Sequence, residues 1–397
     1  MAGVFFWAMI FCYVWVAPSV YRYAMQGYVD FSAFYTAGKM VQVGEGRRLY
    51  DLAAQSEVQK KFSHAAVLRN RALPYMRLPF EAALFVPFVR LAYQRAYLAW
   101  AAVNLVLLGA AAVLVRRRIA ELREIPGWVY YAAYFAFWPL AYGLALGQDL
   151  GLVVLLFAVV TVCLVAGREF PAGCVLGLGL IKFHLVLPLV FVLLLKRRFR
   201  ALAGFAVIGV ALAGASAMMV GLRGLAEYPL YLWRLNKVPA AAAIFPGMMP
   251  NLRGLMEGWG SPMRSYVVLD VVTGVLSLML LFWVAGRWDA EAVRSSKVYL
   301  GGLVLVLVAT VLIGYHTFVY DLSLLCPVLL LSAYTGWKDS QLEPGTRKML
   351  LVGAGALLCA PLYLIAMQVF GRLNIMGIFL LVLAVGWGRA VAEWKAA

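Results

Sequence analysis

The sequence predicts an all-α protein that crosses a membrane many times. Hydrophobic residues occupy 64% of its 397 positions and the mean hydropathy is +0.86, whereas soluble domains contain about 45–50% apolar residues. Ten apolar runs of about 17–23 residues, each able to cross roughly 30 Å of hydrocarbon, follow one another along the chain. We therefore expect a polytopic membrane protein with about 10–12 transmembrane helices and interfacial helices in its first outer loop.

The predicted spans run from one end of the chain to the other. They lie at residues 4–20, 94–115, 128–146, 150–166, 199–221, 264–286, 297–314, 317–334, 347–369 and 374–390. The first has no charged segment before it and no small-residue cleavage site after it, which favours a retained span over a signal peptide. Residues 171–195 form either one more span or a hairpin of two short helices, because Lys182 and His184 interrupt the apolar run.

The basic residues set the expected orientation. Lys and Arg number 35 against 18 Asp and Glu, a net charge of +17, which the positive-inside bias and anionic membrane lipids explain without a nucleic-acid partner. With the N-terminus in the cytoplasm, five basic clusters reach the cytoplasmic face, at residues 116–123, 196–200, 287–297, 337–348 and 388–395. The hairpin is the favoured form of residues 171–195, because both of its flanks then lie on that face.

The opposite face is expected to carry the longer loops. It holds residues 21–78, “GQDL” at 147–150, residues 222–262, “GYHTF” at 314–318 and residues 370–373. The first of these loops contains nine Lys or Arg against four Asp or Glu. Loops of this length translocate regardless of charge, so the excess suits an anionic substrate. No internal repeat and no glycine-rich phosphate motif occurs in the sequence, which favours a single helical domain.

Asp30 is the first acidic residue and follows the first span directly. Apolar residues at helical spacing come after it, and they predict a short helix in the interface plane that ends near Gly44. Asp30 has two interpretations, which do not exclude each other. It can cap the free amides of that helix, or act as a general base on a substrate hydroxyl.

Two polar residues fall inside the membrane and others lie along the outer face. Lys182 and His184 are costly at depth and predict a phosphate partner, unless they extend to the interface. The remaining candidates for the substrate site are Arg77, Gln148, Asp149, Asn251, Arg253, His316 and Tyr320. Asp149 can equally cap the helix that begins near residue 150. Because the acidic and histidine residues are isolated, we expect no metal in the site.

Several motifs together resemble glycosyltransferase family 87. They are “DFSAFYTAG” at 30–38, “GRRLYD” at 46–51, “PFEAALFVP” at 79–87, “GQDL” at 147–150, “KFH” at 182–184 and “KRRFRAL” at 196–202. The resemblance covers mainly residues 20–202, with weaker similarity from 247 onward. It implies the GT-C membrane fold over residues 1–397, with a core module at 1–202 and variable C-terminal helices at 203–397.

The resemblance also implies roles for the site residues. Asp30 matches the proposed catalytic base of the family, and His316 is similar to a histidine near the donor phosphate. Lys182, His184 and Arg253 are added here as donor-phosphate ligands. Arg77, Gln148, Asp149, Asn251 and Tyr320 are expected to line the substrate cavity.

The function implied is that of a membrane glycosyltransferase of the cell envelope. It is expected in the plasma (inner) membrane, with an extracytoplasmic site that moves a hexose, by resemblance mannose, from a polyprenyl-phosphate donor to a lipid-linked or surface glycan. The phosphate leaving group is already stable, so one carboxylate base and nearby cations suffice for inverting transfer without a metal or other cofactor. The alternative is a lipid or solute transporter or flippase, against which stands the missing repeat symmetry.

Overall fold

The computed structural model describes residues 2–237, 245–259, 266–294 and 296–396. All regular elements within these ranges are helices. Six helical segments within these ranges, two of which join α-helices to 3-10 helices, are long and apolar enough to cross a membrane, or up to eight if each of two bent helix pairs forms one span. The predicted all-helical polytopic fold is confirmed. The parts of the predicted outer loop at 238–244 and 260–262 lie outside the described residues.

The helices overlap the predicted runs, although several bounds differ. In the first part of the chain they are α1 (Ala2–Met25), α2 (Phe31–Gln42), α3 (Leu52–Gln59), α4 (His64–Arg69), α5 (Pro79–Phe85), α6 (Tyr93–Arg118), α7 (Ala120–Glu124), α8 (Gly127–Phe135), α9 (Trp138–Leu146) and α10 (Leu150–Val165). In the second part they are α11 (Glu169–Leu178), α12 (Phe183–Leu195), α13 (Phe199–Lys237), α14 (Leu252–Trp259), α15 (Tyr266–Arg287), α16 (Lys297–Ile313), α17 (Cys326–Lys338), α18 (Pro344–Leu358), α19 (Ala360–Gln368) and α20 (Met376–Ala396). Short 3-10 helices include Gly179–Lys182 and Val319–Leu325.

Some predicted spans are shorter or more bent than the apolar runs indicate. α10 and α16 have 16 and 17 residues, fewer than the roughly 20 that a span needs. The runs at 128–146 and 347–369 each contain two helices, bent by 44° and 67°. A proline in the first turn of α9 and of α19 marks each break, since proline cannot continue a preceding helix. The predicted ten to twelve spans are therefore more than length and hydropathy alone support.

The contacts favour the hairpin for residues 171–195. The segment 169–195 passes as one 27-residue span by length and composition, and a straight helix of that length would be about 40 Å long. Yet Glu169, at its start, lies 3.1 Å from Arg198, just beyond its end. The two ends therefore meet, and α11 and α12 fold back on each other around Gly179–Lys182. The Arg294 guanidinium also lies 3.0 Å from the Glu169 carboxylate. Three charged side chains therefore meet where the two ends of the hairpin come together.

The predicted first outer loop forms a small helical unit with its own apolar core. The predicted helix after Asp30 is present as α2, and nine of its twelve residues are buried by the surrounding protein. Gly38 permits the close packing, because a Cβ there would lie 2.9 Å from the Phe85 side chain of α5. Phe34 stacks on Phe85 with ring centroids 4.9 Å apart. This packing fixes the N-terminus of α2, where Asp30 stands, against the ends of the spanning helices.

Candidate active site

An open cavity lies where the predicted first outer loop meets the ends of the spanning helices. It has about 1350 Å³ of empty space, including its mouth. Six of the predicted site residues line it, namely Asp30, Arg77, Gln148, His184, His316 and Tyr320. Apolar side chains form most of the remaining wall, including those of Phe34, Leu146, Phe183, Phe245, Met248 and Phe318. Residues from both ends of the chain, Asp30 and His316 among them, thus share one cavity.

The Asp30 carboxylate is held by a side chain and not by the helix that it precedes. Asp30 stands at the N-terminus of α2 but makes no capping hydrogen bond. Instead, the Gln148 Nε2 donates to its Oδ2 at 2.6 Å. Burial raises the pKa of Asp30 above its ordinary 3.8, while the Gln148 hydrogen bond and the charges of Arg77 and Lys182 oppose that rise. A carboxylate with a raised pKa that faces a cavity can accept a proton from a bound hydroxyl.

Gln148 joins the carboxylate to a cation. Its Oε1 accepts a hydrogen bond of 3.1 Å from the Arg77 guanidinium. The oxygen of the Gln148 amide thus contacts Arg77, and its nitrogen contacts Asp30. The chain can place Gln148 there because Gly147 caps the end of α9, and its φ of +65° is the left-handed conformation that glycine adopts readily. Two residues then suffice to turn from α9 into α10. The base and the cation are therefore positioned by the same tight turn.

Lys182 and Asp149 lie behind the cavity wall in a buried ion network. Lys182 is 1% exposed, and its Nζ is 2.6 Å from Asp321 and 3.3 Å from Asp149. The Asp149 carboxylate, 1% exposed, also lies 3.5 Å from Arg77 and makes no capping bond to α10. Charged groups at depth in a membrane protein are stable when paired in this way. Lys182, at the tip of the hairpin, does not reach the cavity surface.

The two histidines of the cavity differ in what surrounds them. The His184 Nε2 is 3.9 Å from Asp321 Oδ2, so this ring faces the ion network on one side and the cavity on the other. His316 lies in the turn between α16 and the 3-10 helix Val319–Leu325. Burial, with a smaller contribution from the Arg253 charge, lowers the pKa of His316 to about 3. At neutral pH it therefore presents a neutral imidazole to the cavity.

The resemblance seen in the sequence is confirmed. The profile of glycosyltransferase family 87 matches residues 78–313, more than half of the chain. The chain belongs to glycosyltransferase family 87. It is thus a membrane glycosyltransferase. No curated protein and no solved structure matches it.

The range of the family match differs from that of the motifs at 20–202. It includes Gln148, Lys182 and His184 of this glycosyltransferase, whereas Asp30 and His316 lie outside it. The case for Asp30 therefore rests on its place in the cavity. Within the described ranges, no three His, Cys, Asp or Glu side chains are grouped as metal ligands.

Asn251 and Arg253 of the glycosyltransferase do not line the cavity and instead contact the turn that carries His316. The Asn251 Nδ2 donates to the Gly314 carbonyl at 2.6 Å, and its Oδ1 accepts from the Gly254 amide at 2.7 Å. Arg253 pairs with Glu257 at 2.7 Å, and its guanidinium lies 4.1 Å from the centroid of the Tyr315 ring. Both residues therefore support the His316 turn from its far side.

Glu81 is a site neighbour that the sequence reasoning missed. Its side chain is fully buried 3.9 Å from the Arg77 Nε, and neither carboxyl oxygen has a hydrogen-bond partner within the described residues. Burial raises the pKa of Glu81 well above its usual value, although Arg77 opposes the rise. Its position four residues after Arg77, in an apolar segment, was the available signal. Asp149, at 3.5 Å, and Gln148, at 3.1 Å, lie closer to the guanidinium than Glu81 does.

Proposed function

We propose that this glycosyltransferase moves a hexose, specifically mannose, from a polyprenyl-phosphate donor to a hydroxyl of a lipid-linked or surface glycan. The observation that carries the proposal is the placement of Asp30 and Arg77 at the two ends of the Gln148 amide, in a cavity with apolar walls. A carboxylate beside a cation suits a reaction in which one oxygen loses a proton while a phosphate departs. The apolar walls suit an isoprenoid chain.

The proposed reaction is a single displacement. Asp30 takes the proton of the acceptor hydroxyl, the acceptor oxygen forms a bond to the anomeric carbon, and the bond from that carbon to the phosphate oxygen breaks. The electron pair of the broken bond stays on polyprenyl phosphate. Attack from the face opposite the leaving group inverts the anomeric carbon, by analogy with inverting glycosidases. Because the leaving group is a stable phosphate monoester, we propose that the reaction requires no metal.

Three side chains on the cavity wall are proposed to hold the donor phosphate. Arg77 supplies a permanent charge, and His184 and His316 supply N–H donors. A bound phosphate would favour protonation of His316, against the burial that lowers its pKa. Lys182 and Asp149 are proposed to act indirectly. Asp149 pairs with Arg77 on the side away from the cavity, and Lys182 holds Asp149. Charge stabilisation at the departing phosphate is the largest contribution expected of such groups.

We propose that the cavity opens on the extracytoplasmic side of the plasma membrane. The support is the position of the basic clusters at the opposite ends of the helices. Arg116, Arg117 and Arg118 end α6, whose first residue, Tyr93, packs on Phe31, the residue after Asp30. Arg198 and Arg294 meet at the base of the hairpin. This separation of positive charge follows the positive-inside bias.

The test is a transfer assay with purified protein in lipid nanodiscs. Polyprenyl-phosphate mannose and polyprenyl-phosphate glucose are each supplied with an octyl mannoside acceptor, and free polyprenyl phosphate and the anomeric configuration of the product are measured. We expect release only with mannose, an inverted product and no effect of EDTA. Asp30→Asn, which preserves shape, is the inactive control. Transfer from a nucleotide sugar alone, or equal activity of the variant, would refute the proposal.

A further inference from the structure

The segment that carries Arg77 into the cavity has no regular secondary structure. Residues 72–78, here called the Arg77 segment, connect α4 to α5 without a helical turn. Backbone amides and carbonyls outside helices still require hydrogen-bond partners when they are buried. The direction in which the Arg77 side chain points therefore depends on what binds this backbone.

Three tyrosine hydroxyls bind three consecutive carbonyls of the Arg77 segment. Tyr231 donates to the Tyr75 carbonyl at 3.0 Å, and Tyr228 donates to the Met76 carbonyl at 2.9 Å. Tyr50 donates to the carbonyl of Arg77 itself at 2.8 Å. The ring of Tyr50 lies 5.2 Å from that of Tyr228 and 4.9 Å from that of Tyr231, so the three rings also pack together.

Two glutamines of α3 hold the same segment through other backbone groups. Gln59 exchanges two hydrogen bonds of 2.9 Å with the backbone of Leu73, and the Gln55 Oε1 accepts from the Tyr75 amide at 2.9 Å. Both glutamines are almost fully buried. The Arg77 segment is thus bonded along its length by side chains, much as a strand is bonded by its neighbours.

Tyr228 and Tyr231 reach the segment because α13 is broken at Gly221. The φ of 77° and ψ of 161° at Gly221 interrupt the helix and are accessible chiefly to glycine. The outer part of α13 is redirected by this break. Because Tyr228 and Tyr231 are three residues apart, they lie on one face of the helix, the face that covers residues 75 and 76.

We propose that Tyr50, Tyr228 and Tyr231 are positioning residues that aim the Arg77 guanidinium at the donor phosphate. The proposal rests on the proposed function, in which Arg77 contacts that phosphate. Replacing the tyrosines by phenylalanine keeps the packed rings and removes only the hydroxyl donors. The three carbonyls then lose their partners, and the Arg77 segment shifts to find others. A shift of about 1 Å in a positioning group can reduce turnover by about 100-fold.

A double-mutant cycle separates positioning from general stability. We expect the Tyr228→Phe/Tyr231→Phe variant to lose at least about tenfold in kcat/KM with polyprenyl-phosphate mannose. In an Arg77→Ala background the same pair should cause no further loss, because the group that it positions is gone. Tyr130→Phe is the matched control, since the Tyr130 hydroxyl also donates to a backbone carbonyl, that of Ala112, far from the cavity. It should leave kcat/KM unchanged.

Hydrogen exchange tests the positioning without any activity. Peptides covering residues 72–78 should exchange faster in the Tyr228→Phe/Tyr231→Phe variant than in the wild-type protein, and the Tyr130→Phe variant should match the wild type. Unchanged exchange, or losses in kcat/KM that add to that of Arg77→Ala, would overturn the proposal. If the wild-type protein releases no polyprenyl phosphate, the proposed function fails, while the exchange experiment still decides whether the tyrosines hold the segment.

Discussion

Asp30 and Asp149 lie close together in the site, and each begins a helix, but their surroundings differ. Asp30 faces the cavity, and its hydrogen-bond partner is the neutral amide of Gln148. Asp149 is buried between two cations, Arg77 and Lys182. A carboxylate that is not neutralised by a neighbour can take up a proton during a reaction. A carboxylate that is paired with two cations serves to hold them in place. The cavity wall is therefore suited to chemistry and the buried network to support.

The largest effect expected is the loss of transfer in Asp30→Asn. General-base catalysis contributes about 100- to 10,000-fold, and we expect kcat to fall by about 1,000-fold. Folding should be preserved, because the amide oxygen of the replacement can still accept from Gln148. The measurement is the rate of polyprenyl phosphate release together with thermal stability in nanodiscs. Turnover within about threefold of the wild type would show that Asp30 is not the general base. The two aspartates would then no longer differ in function.

The buried network should instead respond through stability. Lys182→Met leaves Asp321 without its cation in a buried site, which costs about 3–5 kcal/mol. A second change, Asp321→Asn, should restore most of that loss, since Asp149 keeps Arg77 as a partner. The control is Lys297→Met, because the Lys297 side chain is half exposed where it pairs with Asp339 at 2.7 Å, and a pair with one solvated partner contributes about 1 kcal/mol at most. A stable Lys182→Met protein with weaker donor binding would show that Lys182 contacts the phosphate.

Gln148→Leu should shift the pH dependence of transfer. Burial raises the pKa of Asp30, and the Gln148 hydrogen bond lowers it by stabilising the ionised form. Loss of that bond raises the pKa further, so the acidic limb of kcat/KM moves to higher pH. At a pH on that limb we expect a lower kcat/KM than in the wild-type protein, and the difference should shrink at higher pH, where the carboxylate is ionised in both proteins. The measurement is the pH profile of kcat/KM for the variant. An unchanged acidic limb would show that Gln148 does not affect the pKa of the base.

The sequence predicted local features of this molecule well and long-range ones poorly. Apolar runs predicted the helices, and the charged flanks of residues 171–195 favoured the hairpin that joins Glu169 to Arg198. Lys182 was expected to meet a substrate phosphate, but it pairs with Asp321, 139 residues later in the chain. No periodicity indicates such a partner. Tyr228 and Tyr231 were missed for the same reason, since their hydroxyls bind carbonyls at residues 75 and 76.

The smallest effect on transfer is expected for Arg253→Gln, which tests where the donor site ends. Arg253 lies outside the cavity lining and pairs with Glu257, so kcat and KM should change by less than about threefold and stability by about 1–3 kcal/mol. Its buried Nη1, however, lacks a hydrogen-bond partner within the described residues, a feature that would suit an anion. A rise of about tenfold in KM for the donor, equivalent to about 1.4 kcal/mol, would extend the phosphate site behind His316. Arg77→Gln is the comparison, because it removes a cation from the cavity wall and should lower kcat/KM far more.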